Sequence, residues 1–173
     1  EFKPVVAGDI DRLRPFYGLR PNKTCDSVFL DSFLWKDYYH VQCAVSEGRA
    51  VLWLMEKDGQ VSTAMPLCRE EDLPYFFQQM VDYFSGVLHK PFYISLADEE
   101  AVQCLNLDPA LFEVEEQVDL KDYLYSGEEL RKLEGKKFVK KRNHLNGFKR
   151  TYEGRYEYRR LCCSDRHEVW QFM

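Results

Sequence analysis

Three short apolar runs separated by two tight-turn signals constrain the fold more than any other feature of the chain. The run "HVQCAV" alternates in character, "AVLWLM" is continuously apolar, and "QVSTAMPL" alternates again. The links between them are "SEGR" and "KDGQ", and Asp58–Gly59 tolerates the positive φ angles of a two-residue hairpin. Residues 41–67 are therefore predicted to form an antiparallel three-stranded meander. Its turns are expected near Glu47–Gly48 and Asp58–Gly59, and its central strand is expected to be buried on both faces.

Helical patterns flank this meander. "GDIDRLRPFYGL" predicts a short helix limited by Pro15, and "NKTCDSVFLDSFLWKDYY" predicts another with Asp26 as its candidate cap. "REEDLPYFFQQMVDYFSGVL" has apolar residues at helical spacing, with Pro74 near the start and Gly86 near the end. "KPFYISLAD" is interpreted as a buried strand, "DEEAVQCLNL" as a helix capped by Asp98, and "ALFEVEEQVDLKDYLYS" as an extended pair or irregular strand. The pattern indicates an α+β fold, with a mixed sheet flanked by helices.

The size and hydropathy of the chain favour a cytoplasmic globular protein. Its 173 residues are 45% apolar, enough for a sizeable core. No uncharged stretch approaches the roughly 18 residues that a bilayer crossing needs. The opening "EFKPVVAGDIDRL" has charges that interrupt any apolar run, unlike a signal peptide. We expect no transmembrane segment and a cytoplasmic location.

The six cysteines fit the same expectation. Four are isolated along the chain, and Cys162 and Cys163 are adjacent, which is a poor geometry for a disulfide between them. There is no CxxC or His/Cys spacing of the kind that binds zinc, so no metal site is expected. We interpret the cysteines as small apolar residues in a reducing compartment. A redox pair at Cys162–Cys163 is the alternative.

One dense basic segment interrupts an otherwise acidic chain. "GKKFVKKRNHLNGFKRTY" places seven Lys or Arg and no acid between Glu134 and Glu153, whereas the rest of the chain has 17 basic and 29 acidic residues. It follows "SGEELRKL", in which Ser126 and Glu129 form a capping-box pattern, so two consecutive helices are predicted. Charge placed in this way indicates a local anionic partner: nucleic acid, a lipid headgroup or a phosphate ligand. A solvated helix face is the alternative.

Helical spacing gives the basic segment two sides. Phe138, Leu145 and Phe148 should pack inward, whereas Lys136, Lys140 and Arg142 should remain accessible to solvent. Lys137, Lys141 and His144 are expected to border a cleft or seam, and Asn143 and Asn146 share a face and can hydrogen-bond a ligand or a loop. The candidate anion- or substrate-binding residues are Lys136, Lys137, Lys140, Lys141, Arg142, Asn143, His144 and Asn146.

No catalytic residue can be assigned from the sequence. It contains no P-loop, GxSxG or HExxH motif. His40, His89 and His167 are isolated and are interpreted as structural or incidental. The final stretch, "GRYEYRRLCCSDRHEVWQFM", predicts a strand and a helix capped by Ser164 or Asp165. We expect three regions: a domain over 1–125, basic linker helices over 126–153, and the truncated start of a second domain over 154–173.

Two stretches carry a resemblance to a known family. "LRPFYGLRPNKTCDSVFLDSFLWKDYYHVQ" and "GKKFVKKRNHLNGFKRTYEGRYEYR" resemble bacterial proteins related to the C-terminal domain of phosphatidylglycerol lysyltransferase, a domain of unknown function in many members. The most distinctive motif is Lys-Lys-Arg-Asn-His-Leu-Asn at residues 140–146. The order of elements also resembles the GNAT (acyl-CoA N-acyltransferase-like) fold. The resemblance implies a tandem of two GNAT-like halves, of which this chain is the first, with a second half beyond residue 173.

The resemblance also implies an activity. Better-known relatives transfer an aminoacyl group from a charged tRNA to a lipid or peptidoglycan acceptor, so an aminoacyl- or acyltransferase with tRNA or another anionic donor is the leading hypothesis. An anionic lipid surface is a further expected partner. The alternatives are a non-catalytic module that binds nucleic acid or an anionic surface, and an inactive structural half.

The chain departs from acetyl-CoA-dependent relatives in one respect. Those enzymes hold pyrophosphate with a Gly-rich turn at a helix N-terminus, yet this chain contains no GxG. The acidic "REEDLP" precedes the corresponding helix and should repel phosphate. No cofactor is therefore expected in this chain, and no acyl-CoA site is evident.

Overall fold

The structure is a computed structural model that describes residues 1–20 and 28–172. A four-stranded antiparallel sheet in the order β1-β2-β3-β4 comprises Lys3–Pro4, Gln42–Ser46, Ala50–Lys57 and Gln60–Ser62. The predicted meander is confirmed, with Cys43 opposite Trp53 and Glu56 opposite Val61. The sequence does not reveal β1, because two residues carry no alternation.

Both hairpin turns lie where the sequence places them. Glu47 and Gly48 have φ angles of 53° and 65°, and Asp58 and Gly59 have φ angles of 52° and 81°. Two successive residues with positive φ are typical of a type I′ turn, whose twist matches that of antiparallel strands. These turns fix the register that buries both faces of β3.

The central strand separates two apolar clusters. Ala50 and Leu52 join a cluster that also contains Phe76, whereas Val51 and Trp53 join one built around residues from the N-terminal helices. Alternate residues point to opposite faces of a strand, so a continuously apolar run can fill both clusters. The prediction of a doubly buried central strand is confirmed.

Seven α-helices occur among the described residues: α1 Ile10–Leu13, α2 Phe29–Leu34, α3 Leu73–Tyr83, α4 Glu99–Leu105, α5 Gly127–Lys132, α6 Val139–Thr151 and α7 Arg166–Phe172. Short 3₁₀ helices lie at Ala7–Asp9, Arg14–Gly18, Glu70–Asp72, Val118–Leu120, Lys136–Phe138 and Cys163–Asp165, and a π-helical turn at Phe84–Leu88 extends α3. The α+β class is confirmed, but the predicted mixed sheet is wrong for the described residues, because all four strands pair antiparallel and Thr63–Ile94 is an isolated parallel bridge. The Asp26 cap and Cys25 lie outside the described residues. None of the described helices has both the length and the apolar character needed to cross a bilayer.

A buried ion pair joins the N-terminal region to α4. Asp98 caps α4 by accepting a hydrogen bond from the Ala101 amide (2.9 Å), as predicted. The same carboxylate accepts two bonds from the Arg20 guanidinium, at 2.9 and 3.1 Å, and both side chains are less than a tenth exposed. This bidentate geometry offsets the free-energy cost of removing both charges from water.

Three predicted strands are wrong within the described residues. "KPFYISLAD" forms only an isolated bridge between Ile94 and Thr63, residues 110–125 contain a 3₁₀ turn and no strand, and residues 155–161 have no regular structure. Aromatic and β-branched residues favour a strand only where a neighbouring strand supplies hydrogen-bond partners. Val114, Val118 and Tyr123 are instead more than half exposed.

The described cysteines differ in exposure, and Cys104 is half-buried. Cys43 and Cys68 are buried, as expected, and burial raises the pKa of the Cys68 thiol to about 11. Cys162 and Cys163 are exposed, so the interpretation as buried apolar residues is wrong for this pair. They lie where the chain enters a 3₁₀ turn, and Cys162 serves as its cap. All five described cysteines are free thiols.

The chain divides into two compact units, residues 1–122 and 123–173. The first contains the sheet and both apolar clusters. The second contains α5, α6 and α7. The three-region division given above stays a prediction.

Candidate functional site

The candidate site is built on α6 in the second unit, and its position begins with the preceding helix. Ser126 caps α5 by accepting a hydrogen bond from the Glu129 amide at 3.3 Å, which confirms the predicted start. The helix ends at Lys132, and the next residue, Leu133, adopts a left-handed conformation with φ of 50°. Gly135 does not end the helix itself, but its φ of 81° redirects the chain into the basic segment.

The Arg142 side chain contacts the junction between α5 and α6. Its guanidinium donates to the carbonyl oxygen of Leu133 and, at 2.9 Å, to that of Gly135. The last carbonyl groups of a helix lack internal partners, and a cation there also complements the helix dipole. The prediction that Arg142 remains accessible to solvent is therefore only partly correct. The side chain is half-buried and joins α6 to the end of α5.

Lys137 is also engaged. Its ammonium lies 2.7 Å from the Glu129 carboxylate and 5.0 Å from the centre of the Phe138 ring. Glu129 therefore pairs with a lysine eight residues later, and it is the Ser126 half of the predicted capping box that forms. Both partners remain exposed, so the pair is weak and can open to an anionic ligand.

The other six predicted site residues are exposed. Lys136, Lys140 and Lys141 form no ion pair with any residue that the structure describes. Asn143, His144 and Asn146 also point toward solvent. Because Val139–Thr151 is continuous α-helix, Asn143 and Asn146 share one face, together with Arg150. These six residues thus offer three unpaired ammonium groups, amide donors and one imidazole.

The predicted inward stripe is only partly correct. Phe138 is 7% exposed, whereas Leu145 is 43% and Phe148 is 46% exposed. Helical periodicity places Lys141, Leu145 and Phe148 on one face, but it does not provide anything to cover that face. Within the described residues, only the start of the segment is anchored by burial.

A shallow depression at the far end of α6 was missed by the sequence analysis. Its lining consists of Asn146, Lys149, Arg150, Glu153, Gly154 and Tyr156, and its volume is about 600 Å³. Gly154 has a φ of 68°, which turns the chain back so that the Tyr156 ring reaches Phe148. A glycine two residues after a predicted helix end, followed by an aromatic residue, is the signal that could have identified it.

A second charged cluster holds the start of α7. Asp165 accepts two hydrogen bonds from Arg159, at 2.6 and 2.7 Å, and one from the Cys162 amide at 2.7 Å. The Arg159 guanidinium holds the pKa of the Asp165 carboxyl well below its usual range. Hydrogen bonds from the Cys162 amide and the Cys162 thiol act in the same direction. Asp165 is 6% exposed and is the last residue of the 3₁₀ turn that Cys162 caps. It directly precedes α7, which is one of the two positions predicted for the start of this helix. These contacts fix the chain at the start of α7, so the role of Asp165 is structural.

The two units differ in charge. The second unit has 13 basic and 7 acidic residues, a net charge of +6, whereas the first has 11 basic and 22 acidic residues, a net charge of −11. A positively charged unit with exposed ammonium groups attracts phosphate-bearing molecules. Among the described residues, no three His, Cys, Asp or Glu side chains come together in a way that could hold a metal ion.

Comparisons with known proteins identify the family. The sequence profile described as phosphatidylglycerol lysyltransferase, C-terminal, matches residues 18–172. A crystal structure of a conserved protein of unknown function from Bacteroides thetaiotaomicron VPI-5482 is 24% identical and superposes with a TM-score of 0.82. The match covers 99% of this chain and 57% of that protein, and the likeness concerns the fold. No curated protein matches the chain significantly. The profile match spans most of the sequence, and the chain belongs to the family of the phosphatidylglycerol lysyltransferase C-terminal domain.

Proposed function

We propose that the chain is part of an aminoacyl- or acyltransferase of GNAT-like fold, in which α6 binds the anionic donor. Family membership supports the reaction class, and the exposed ammonium groups of Lys136, Lys140 and Lys141 support the donor site. A charged tRNA combines a polyphosphate backbone with an activated ester, so it fits both features. The exposed basic face of α6 is the observation that carries this proposal.

The transfer is a nucleophilic substitution at the carbonyl carbon of the donor ester. The amine or hydroxyl of the acceptor forms the new C–N or C–O bond, and the bond between the carbonyl carbon and the ribose oxygen breaks. The proton lost by the acceptor passes, directly or through a base, to the departing ribose hydroxyl. Such a step needs donors for the developing oxyanion and a group that moves the proton. In this proposal α6 supplies neither; it positions the donor.

The domain arrangement is part of the proposal. We assign residues 1–125 to a first GNAT-like half, 126–153 to linker helices and 154–173 to the beginning of a second half. The match to only 57% of a longer protein supports a larger functional unit. The apolar residues exposed on α7, Trp170 at 76% and Phe172 at 92%, also support further packing partners.

A non-catalytic binding module is the second candidate. The same exposed ammonium groups favour it, because anion binding requires no catalytic group. In that case the chain would bind tRNA or an anionic lipid surface without transferring an acyl group. Both candidates therefore predict binding of an anionic ligand, but only the transferase predicts transfer of an acyl group.

A transfer assay separates them. The chain is incubated with tRNA carrying a radiolabelled amino acid and with vesicles of phosphatidylglycerol or phosphatidylethanolamine, and label is measured in the lipid extract. The aminoacyltransferase proposal predicts lipid-bound label that is lost when Lys136, Lys140 and Lys141 are all replaced by Ala. A charge-matched control replaces Arg131, Lys132 and Arg160 by Ala and should retain transfer. Binding of tRNA without transfer to any acceptor would favour the non-catalytic module.

A further inference from the structure

Three aromatic rings cluster where the basic helix ends. Phe148 lies 4.9 Å from Tyr152 and 5.0 Å from Tyr156, measured between ring centres, and the second pair meets edge to face. The turn at Gly154 is closed by a hydrogen bond of 2.9 Å from the Arg155 amide to the Tyr152 carbonyl. The rings are held in place by this turn, yet each is 44–46% exposed. Aromatic surface is therefore fixed in position and available to a ligand.

Cations lie beside these rings. Lys149 and Arg150 line the same depression as Tyr156, with the Asn146 amide near them. Neither cation forms an ion pair with another described residue, and Glu153 is the single acid in the lining. We refer to Asn146, Lys149, Arg150 and Tyr156, together with Phe148, as the aromatic–cation depression.

The end of a helix normally repels phosphate, because its free carbonyl groups carry partial negative charge. Here two of those groups are occupied. The Tyr152 carbonyl accepts from the Arg155 amide at 2.9 Å, and the Thr151 carbonyl accepts from the Arg155 guanidinium. The Arg155 guanidinium also lies 5.3 Å from the centre of the Tyr152 ring. These bonds reduce the negative character of the helix end, and cations and aromatic rings lie beside it.

We propose that the aromatic–cation depression binds a single-stranded nucleic-acid end, with an unpaired base against Tyr156 and Phe148 and backbone phosphates at Lys149 and Arg150. Exposed rings beside cations are the combination that single strands require, since each unpaired base offers a face for stacking. A duplex hides those faces, and a lipid headgroup engages cations without needing rings. The inference rests on the proposed function, because it specifies which part of a tRNA-like donor contacts this end of α6.

The test measures fluorescence anisotropy with two probes, a labelled eight-nucleotide single-stranded RNA and the same sequence in a duplex. Phosphatidylglycerol vesicles are then added as a competitor. The variants are Tyr156→Ala and Phe148→Leu, the latter keeping an apolar side chain while removing the ring. Tyr158→Ala is the matched control, because Tyr158 lies two residues away and is 97% exposed. Circular dichroism checks that each variant retains its helices.

The single strand should bind more tightly than the duplex. Tyr156→Ala and Phe148→Leu should each weaken single-strand binding by roughly 5- to 150-fold, the range for loss of one stacked base. Tyr158→Ala should change it less than about twofold. Replacing both Lys149 and Arg150 by Ala should lower the slope of log affinity against log salt by about 1.4, since each single-strand phosphate contact contributes about 0.7.

Equal effects of Tyr156→Ala and Tyr158→Ala would overturn the inference, and so would duplex or vesicle binding as tight as single-strand binding. If the aromatic variants have no effect but tRNA binding still depends on Lys136, Lys140 and Lys141, this inference fails and the proposed function stands. If no RNA binds at all, both fail. Self-association detected by sedimentation and lost in Tyr156→Ala would make a second copy of the chain the occupant, which also overturns the inference.

Discussion

Arg142, a residue of α6, caps the end of the preceding helix α5 by donating a hydrogen bond to the Leu133 carbonyl. The bond spans nine residues and, together with a second one to Gly135, fixes where the basic helix leaves α5. One of the seven basic residues in the segment is therefore structural, although its neighbours Lys140 and Lys141 face solvent. Residue type alone does not separate these two roles.

Replacing Arg142 should lower stability. Arg142→Ala leaves two carbonyl groups without their charged partner, and hydrogen bonds to charged groups contribute about 1.5–3 kcal/mol. We expect a loss of roughly that size in the free energy of unfolding, measured by urea denaturation. Lys140→Ala is the matched control and should stay within about 0.5 kcal/mol. Equal effects of the two variants would contradict a structural role for Arg142.

The two phenylalanines of the basic segment should respond differently to truncation. Phe138 is 7% exposed and Phe148 is 46% exposed. Phe138→Ala should cost about 3–5 kcal/mol, as expected for a buried ring, whereas Phe148→Ala should cost about 1–2 kcal/mol. Denaturant midpoints with an unchanged m-value report the difference. A larger loss at Phe148 would show that its ring is covered in solution.

Much of the first unit could be predicted because its signals are local. Asp58–Gly59 identifies a hairpin, and the alternation around it identifies the strands. Phe92, Tyr93 and Ile94 have the same strand propensity, but whether they pair depends on a partner elsewhere in the chain. The result is one isolated bridge between Ile94 and Thr63.

The candidate site shows the same limit. Periodicity correctly predicts a helix over the basic segment and the burial of Phe138, both of which depend on nearby sequence. The bond from Arg142 to Leu133 and the approach of Tyr156 to Phe148 depend on two turns, at Gly135 and Gly154. The directions of those turns cannot be derived from spacing along a single helix.

The thiols should differ in reactivity. The thiolate is the reactive form, and burial raises the pKa of Cys68 to about 11, so roughly one thousandth of it is ionised at pH 8. Burial raises the pKa of Cys43 as well. Cys162 and Cys163 are exposed and should be alkylated first by iodoacetamide, as read by peptide mass spectrometry. Cys43 and Cys68 should react only after unfolding. Rapid labelling of Cys68 in the folded chain would contradict its burial.

The chain should not bind acetyl-CoA measurably. The helix that follows the meander is preceded by Glu70, Glu71 and Asp72, so its positive end faces carboxylates rather than a free phosphate site. Isothermal titration calorimetry at physiological salt should give no heat beyond dilution. Micromolar binding would require a phosphate site that this arrangement does not explain.

The salt dependence of tRNA binding tests the central claim most directly. Each phosphate contact adds roughly 0.7 to 0.9 to the slope of log affinity against log salt. The account predicts that replacing Lys136, Lys140 and Lys141 by Ala lowers that slope by about 2 to 3 without lowering thermal stability, whereas the Arg131, Lys132 and Arg160 triple variant leaves it nearly unchanged. Equal slopes for wild type and the first variant, or equal losses in both variants, would contradict a donor site on the basic helix.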